Sequence, residues 1–432
     1  MTLEKAHNIH FVGIGGIGTS SLAQILHAQG KKISGSDQNK SSITKELEKS
    51  GIKFFHGHDE KYLPESCDLV IFSPAIPKNN PEIKQAKKLK IKTISYPQAL
   101  GELSKSYYTI AIAGTHGKST TTAMLAKIAK DYNLDPTVVV GTKVKQLNKK
   151  NYLVGKSKFL ILEACEYKES FLNIHPNLLV ITNIEPDHLD YFKTEANYFN
   201  VFKKLIKNLP KDGIIVINKD LKPLKEITKG SKLEIVEWSI KDLNKVNVKL
   251  KIPGDFNIRN AQNAATAAQV LNIPNSAIEK SLKSFSGTWR RMEHKHKKGY
   301  QCQFIDDYGH HPTEIKATLK AIKESNPGKK ILTIFQPHQY NRTKLLLKDF
   351  AKSFIDTTKV VIPNIYKVRD NEADLKSISA QKLVDEINKK SKNAINGKSL
   401  KETAEYIKKN HTKYDIVVTM GAGDITIIYK YL

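Results

Sequence analysis

An α/β fold of three domains in series is predicted by three observations. Short β-branched apolar runs alternate with helical patterns along the whole chain. Two of those runs end in glycine-rich turns that open a helix, one at Gly13 and one at Gly114. The 432 residues are also too many for a single core.

The first strand is expected at Ile9–Ile14. It meets Gly13-x-Gly15-x-x-Gly18, with Gly16 inside the turn, and a helix from about Thr19 to Gln29. A second strand, Lys32–Gly35, ends at Ser36-Asp37, an acid about 20 positions past the glycines, where a nucleotide ribose is met in this pattern. Strands at Cys67–Phe72 and Lys92–Ser95 follow, completing a Rossmann-like domain over residues 1–105. Alone, such a turn suits a nicotinamide or flavin enzyme, or is simply a tight strand–helix connection.

The central segment, 106–288, opens with the strand Tyr108–Ala113 and the loop Gly114-Thr115-His116-Gly117-Lys118-Ser119, then a helix over Thr120–Lys130. Glycines let backbone N–H groups approach an anion, Lys118 neutralises phosphate charge, and Ser119 is a hard ligand for Mg²⁺. Position 112 is isoleucine, so the loop is shorter than the general phosphate-loop pattern. A strand at Lys158–Leu162 delivers Glu163 at its carboxyl end, and Asn177–Thr182 does the same for Asn183, Glu185, Asp187, His188 and Asp190. A helix over Asn260–Leu271 follows the Pro253-Gly254 turn. This domain is expected to be an ATP-binding sheet with flanking helices.

The third segment, 289–432, has strands at Gln303–Ile305, Ile331–Phe335, Lys359–Ile362 and Asp415–Thr419, with helices between them. It is again expected to be Rossmann-like.

Composition narrows the function. The formal charge is +27, yet the 70 basic residues include only five arginines: Arg259, Arg290, Arg291, Arg342 and Arg369. Bidentate reading of phosphates and bases favours arginine, so this lysine bias marks a solvated surface rather than a nucleic-acid binder. An arginine in so lysine-rich a chain signals a need for a planar fork. The three cysteines, Cys67, Cys165 and Cys302, show no paired spacing, against a disulfide framework or zinc site. With no signal-peptide pattern and no apolar run of membrane-spanning length, a cytoplasmic protein is expected.

Several motifs, in order along the chain, together resemble the Mur ligases. Besides the loop at 114–119 they are Glu163-Ala-x-Glu166, Thr182–Asp190, Pro253-Gly-x-x-Asn257-x-x-Asn260, Arg290-Arg291, Asp306–Glu314 and Phe335-Gln-Pro-His338. The run Asp306-Asp-Tyr-Gly-His-His-Pro-Thr-Glu314 is the most specific. It favours the member that adds L-alanine over a cell-wall recycling relative that adds a peptide.

The resemblance implies an ATP-dependent, Mg²⁺-requiring amide ligase of peptidoglycan biosynthesis. It joins L-alanine to the lactoyl carboxylate of UDP-N-acetylmuramate through an acyl phosphate. It implies Lys118 on the transferring phosphate, with Thr115, His116 and Thr120 completing the phosphate site, and Ser119, Glu163 and His188 at the metal. Tyr308 would stack on adenine, Asp306 or Asp307 hold the ribose, and Arg290 bind ATP. Asn257 and Asn260, three apart, would share a helical face and read the adenine edge, or form a helix-capping pair. His310 and Arg342 would meet the reacting carboxylate and the alanine. Gly13, Gly15, Gly16, Gly18, Ser36 and Asp37 would cradle the UDP-sugar, with His188 facing the same substrate.

Plainer readings stand beside these. Glu166, Asp187 and Asp190 read equally as caps or structural acceptors. Cys165 reads as a packed thiol, since no activating base is evident. His188, His310 and His311 stand apart from the other histidines because they sit at strand ends beside acids. Relatives often carry Asp and Ser at 165 and 167, Gly at 289 and Arg at 339, where this chain has Cys165, Tyr167, Trp289 and Gln339. Arg342 is thereby left as the guanidinium of that motif.

Overall fold

The computed structural model describes residues 1–240, 250–368 and 370–432; Arg369 and the side chain of Asp190 lie outside the described residues. The chain gathers into two compact units, 1–249 with 259–285, and 250–258 with 286–432.

The first unit holds two sheets. Strands β1 (Asn8–Val12), β2 (Lys32–Asp37), β3 (Lys53–His56), β4 (Leu69–Phe72) and β5 (Lys92–Ser95) form a parallel sheet in the order β3-β2-β1-β4-β5. The order reverses at β1, so the turn that follows it opens into the crevice where such sheets bind ligands.

The second sheet contains β6 (Tyr108–Ala113), β7 (Thr137–Val144), β8 (Lys150–Leu153), β9 (Phe159–Glu163), β10 (Leu178–Ile181), β11 (Ile214–Asn218) and β12 (Glu234–Trp238). Its order is β12-β11-β10-β6-β9-β7-β8, parallel except for the β7–β8 pair. β6 lies between β10 and β9, so its loop sits beside the ends of both. The two sheets pack through one continuous apolar core. They approach closely: a Cβ on Gly101 would lie 2.2 Å from the Asn173 carbonyl. Asn151 Nδ2 also donates to the Ile17 carbonyl at 2.6 Å and to the Ser21 hydroxyl.

The second unit holds β13 (Glu293–Lys295), β14 (Gln303–Asp307), β15 (Ile331–Phe335), β16 (Lys359–Pro363), β17 (Ala394–Lys398) and β18 (Ile416–Met420). The order is β13-β14-β18-β15-β16-β17, with only β13 antiparallel.

All the expected strands form, with ends shifted by one or two residues, and the helix expected at Asn260 instead begins at Asp255. Neither Asn257 nor Asn260 is therefore a helix cap. The strands absent from the sequence reading, β3, β7, β8, β11, β12, β13 and β17, include the outermost strands of the second and third sheets and short polar ones. There, one exposed face weakens the apolar signal.

Candidate functional site: two glycine turns and a histidine cluster

The loop after β6 is shaped by two glycines that admit no side chain. Gly114 has φ +133, and a Cβ there would lie 2.1 Å from Thr182 Oγ1. Gly117 has φ +81, and its Cβ would lie 2.1 Å from Asn260 Oδ1. Both values belong to backbone that side-chain-bearing residues rarely adopt. The helix Lys118–Asp131 starts directly from Gly117 with no side-chain cap, so its first amides are available to an anion.

The segment after β10 clamps this loop. Asn183 Oδ1 accepts from the His116 amide at 3.0 Å while its Nδ2 donates to the His116 carbonyl at 2.8 Å. Thr182 Oγ1 donates to that carbonyl at 2.6 Å. Thr115 Oγ1 donates to the Glu185 carbonyl at 2.8 Å and lies 2.8 Å from the Tyr198 hydroxyl. Thr120 is buried in the first helical turn.

Lys118 folds back over the loop. Its Nζ donates to the carbonyls of Gly114 (2.6 Å) and Thr115 (3.0 Å) and pairs with Glu166 at 2.9 Å. Burial would lower its pKa, but the Glu166 and Glu163 carboxylates outweigh burial and hold it above the ordinary lysine value. The ammonium is thus charged and held by two carbonyls and a carboxylate. Glu166, read equally well as a cap, is the ion-pair partner of Lys118.

Ser119 Oγ donates to Glu163 Oε1 at 2.9 Å, and Glu163 Oε2 accepts from the Gly141 amide at 2.6 Å. Hydroxyl and carboxylate together form an oxygen pair of the kind Mg²⁺ takes. His188, with φ +54, places Nε2 3.7 Å from Asp187 and 3.9 Å from Glu166, and its ring packs on Tyr167 at 4.8 Å. Cys165 is exposed as a residue, while the protein around its sulfur and the neighbouring Glu166 charge push its thiol pKa up, against a thiolate nucleophile.

The turn after β1 is built differently. Gly13 has φ +82, and a Cβ on Gly15, Gly16 or Gly18 would meet Asp37, Thr19 or Tyr96 within 2.9 Å. The Gly15 amide donates to Asp37 Oδ2 at 2.9 Å, and Asp37 Oδ1 accepts from the Asn39 amide at 3.0 Å. Asp37 therefore holds the turn in this structure. Ser36 is fully buried and donates to Glu82 Oε1 at 2.8 Å. The helix Ile17–Ala28 has no side-chain cap either.

Asn260 belongs to the first unit and is buried against Gly117, with Thr121 Oγ1 donating to its Oδ1 at 3.4 Å. Its side chain supports the loop from behind. Asn257, in the second unit, donates through Nδ2 to the Pro253 carbonyl at 2.7 Å.

Within the second unit, Arg290 is almost fully buried. Its Nε pairs with Asp306 at 2.9 Å and its other nitrogens donate to the carbonyls of Gly421 (2.5 Å) and Gly423 (3.4 Å). Asp306 also accepts from Thr419 Oγ1 at 2.9 Å. Asp307 accepts from the amides of Met292 (2.8 Å) and Gly309 (2.7 Å), and burial raises its pKa. Arg290 and Asp306 thereby join β14 to β18 and its loop, while the Asp307 carboxylate ties the end of β14 to the segment before β13.

Tyr308 lies 5.3 and 5.2 Å from the guanidinium carbons of Arg290 and Arg291. His310 Nδ1 stands 3.4 Å from Glu314 and its ring 6.0 Å from that of His338. His338 stacks on Tyr366 at 5.5 Å and its Nδ1 lies 3.4 Å from an Arg342 nitrogen. His310 and Arg342 are thus brought into one cluster with His338 and Tyr366. Tyr366 carries no motif and is found only through the fold. His311 caps the helix Pro312–Ser325 through the Thr313 amide. Gln339, in place of an arginine, has φ +73 and turns its amide to the Val368 carbonyl at 3.4 Å.

Comparison with known proteins follows the same three-part division. Residues 8–108 match the Mur ligase family catalytic domain, 112–247 the Mur ligase middle domain and 290–423 the Mur ligase glutamate ligase domain. The UDP-N-acetylmuramate–L-alanine ligase of Acetivibrio thermocellus is 41% identical, over 98% of this chain and 94% of that protein. That of Clostridium acetobutylicum is 40% identical over 98% and 96%. The solved UDP-N-acetylmuramate–alanine ligase of Thermotoga maritima superposes with a TM-score of 0.80 at 28% identity, covering 98% of this chain and 97% of that one. A murein peptide ligase of Psychrobacter arcticus, 23% identical with a TM-score of 0.72, shares the fold over 98% of this chain and 97% of its own. With the matched segments reaching from residue 8 to residue 423, the chain belongs to the Mur ligase family.

Proposed function

We propose that this chain is the ATP-dependent ligase that joins L-alanine to the lactoyl carboxylate of UDP-N-acetylmuramate in peptidoglycan biosynthesis. One observation carries the reading. A glycine cradle with a charged lysine folded into it sits in a chain that matches L-alanine ligases over nearly its full length. The γ-phosphoryl group of ATP passes to the carboxylate, giving an acyl phosphate and ADP. The alanine amine then attacks the acyl carbon, and the tetrahedral intermediate expels phosphate to leave the amide.

Phosphoryl transfer between anions is served by positioning and charge neutralisation. The arriving phosphates exchange with the Gly114 and Thr115 carbonyls for the Lys118 ammonium, while the uncapped helix start supplies amide donors. Ser119 and Glu163 fit Mg²⁺ and would hold it, with His188, a softer donor beside Asp187 and Glu166, as the further residue that would face the ion. The ion when bound screens the β- and γ-phosphate charge. Asn260 shapes the loop from behind and Tyr308 offers a ring for the adenine. His310 and Arg342 orient the carboxylate and the amino acid. The turn at Gly13–Gly18 holds the UDP-sugar, with Asp37 fixing its shape.

We place the domains at 1–105, 106–288 and 289–432, a division that the three matched segments support in outline. A cytoplasmic location is in keeping with three free cysteines and with soluble nucleotide substrates. Phosphate release from ATP and Mg²⁺ with UDP-N-acetylmuramate tests the assignment, comparing L-alanine, glycine, L-serine and the recycling tripeptide. Release that requires both the sugar nucleotide and L-alanine, with the amide product seen by mass, is expected. Turnover only with the tripeptide would move the enzyme to the recycling branch.

A further inference from the structure

A carboxylate lies wholly buried under the first sheet's crevice, and the chemistry above makes no use of it. Glu82 stands in the first turn of the helix Pro81–Lys88, whose cap, Asn80, accepts from the Glu82 amide at 2.9 Å. One of its oxygens is 2.7 Å from His10 Nε2 in β1. The other is 2.7 Å from His58 Nδ1, just beyond β3, and accepts from Ser36 Oγ at the end of β2 at 2.8 Å. Ser34 Oγ, in β2, closes the chain 2.8 Å from His10 Nδ1. Groups from β1, β2 and the segment beyond β3 thus converge on one carboxylate carried by the helix after β4.

A carboxylate can only accept, so each imidazole nitrogen facing it carries a hydrogen. That requirement fixes the orientation of the His58 ring and leaves its Nε2 without a hydrogen-bond partner among the described residues. His10, Ser36 and Glu82 are buried, whereas the His58 side chain keeps 10% of its surface open. His58 and Ser36 both lie at the carboxyl ends of their strands, beside the Gly13–Gly18 turn, on the side where ligands bind in such sheets. An apolar filling of the same volume would serve stability as well as a buried ionic network does. What the network adds is a single orientation for a side chain at the rim.

We propose that Glu82 is a positioning residue for the sugar nucleotide, acting through His58, whose Nε2 it presents to the uridine diphosphate part of the substrate. The proposal rests on reading the Gly13–Gly18 turn as the UDP-sugar site. Titration calorimetry with UDP-N-acetylmuramate and with UDP, alongside steady-state kinetics, tests it on the full chain.

Glu82→Gln and His58→Ala should each weaken both ligands about tenfold, the double variant no more than the worse single one. The KM for UDP-N-acetylmuramate rises accordingly, while kcat and the KM values for ATP and L-alanine hold within about twofold. A folded Glu82→Gln with unchanged affinity, additive losses in the double variant, or a fall confined to kcat would overturn it. Should Glu82→Gln fail to fold, Glu82→Asp keeps the charge on a shorter arm. It should still weaken UDP, and unchanged affinity there overturns the proposal equally. Failure of the underlying reading looks different: Gly15→Ala would then leave UDP binding intact, whatever Glu82 does.

Discussion

Two strand–glycine–helix turns, after β1 and after β6, share a backbone design and differ in what fills it. Both leave a helix start uncapped, and both exclude side chains by close contact. The first turn is tied by a carboxylate, with the Gly15 amide on Asp37. The second is tied by a cation, with Lys118 on two loop carbonyls and Glu166. A glycine pattern therefore prescribes a concave, amide-lined shape, while the side chain tied into it sets whether the turn also carries a cation to neutralise charge. The cationic turn suits the transferring phosphate of ATP, where charge changes during reaction. The other suits the diphosphate of a sugar nucleotide, which is held while the reaction takes place elsewhere on that substrate.

The strongest test of the contrast is Lys118→Met. Turnover should fall by about a thousandfold, because charge at the transferring group is lost. Glu166 is then left buried without its cation, so the variant should also lose about 3 kcal/mol of stability in a denaturant titration. Since the folded lysine pKa is raised, this stabilisation is fully present below the ordinary lysine value and is lost as pH rises through the higher folded one. The gap in melting temperature between wild type and variant should therefore stay constant from neutral pH and narrow only in strong alkali.

Gly117→Ala comes next. The methyl group collides with Asn260 Oδ1 and the backbone holds a positive φ, so a loss of about 2–3 kcal/mol and a raised KM for ATP are expected. Adding Asn260→Ala should restore part of the stability but not the backbone term. If Asn260→Ala alone abolished ATP binding in stable protein, direct contact with the nucleotide would replace the supporting role described here.

Gly15→Ala has ordinary φ and meets only the side chains of Asp37 and Thr44, so its effect is smaller. The KM for UDP-N-acetylmuramate should rise about tenfold with the KM for ATP unmoved. Tyr198→Phe, which removes the hydroxyl contact to Thr115, should cost about 1 kcal/mol and leave turnover nearly unchanged.

Many of the central strands and both turns were legible because buried parallel strands are continuous apolar runs and the glycines sit at their ends. Partners across the chain were not. The spacing of Asn257 and Asn260 places both on one helix, but only the fold seats Asn260 over Gly117. Asp37 stands where a ribose acid is expected, yet a glycine amide 22 positions away takes its carboxylate. The rarity of arginine did signal that Arg290 serves a planar fork. Its partners, Asp306 and the Gly421 and Gly423 carbonyls, come from strand pairing that no local pattern records. The pairing of Glu166 with Lys118, and the place of Tyr366, became visible only once β6, β9 and the loop after β16 were in place.

The central claim, that the two turns serve two different anions, is tested most directly by calorimetry on three proteins with two ligands. Wild type, Gly15→Ala and Lys118→Met are each titrated with UDP-N-acetylmuramate and with a non-hydrolysable ATP analogue plus Mg²⁺. The account predicts a crossed result: Gly15→Ala loses the sugar nucleotide and keeps the ATP analogue, and Lys118→Met does the reverse. Loss of both ligands by either folded variant, or the opposite crossing, would contradict it.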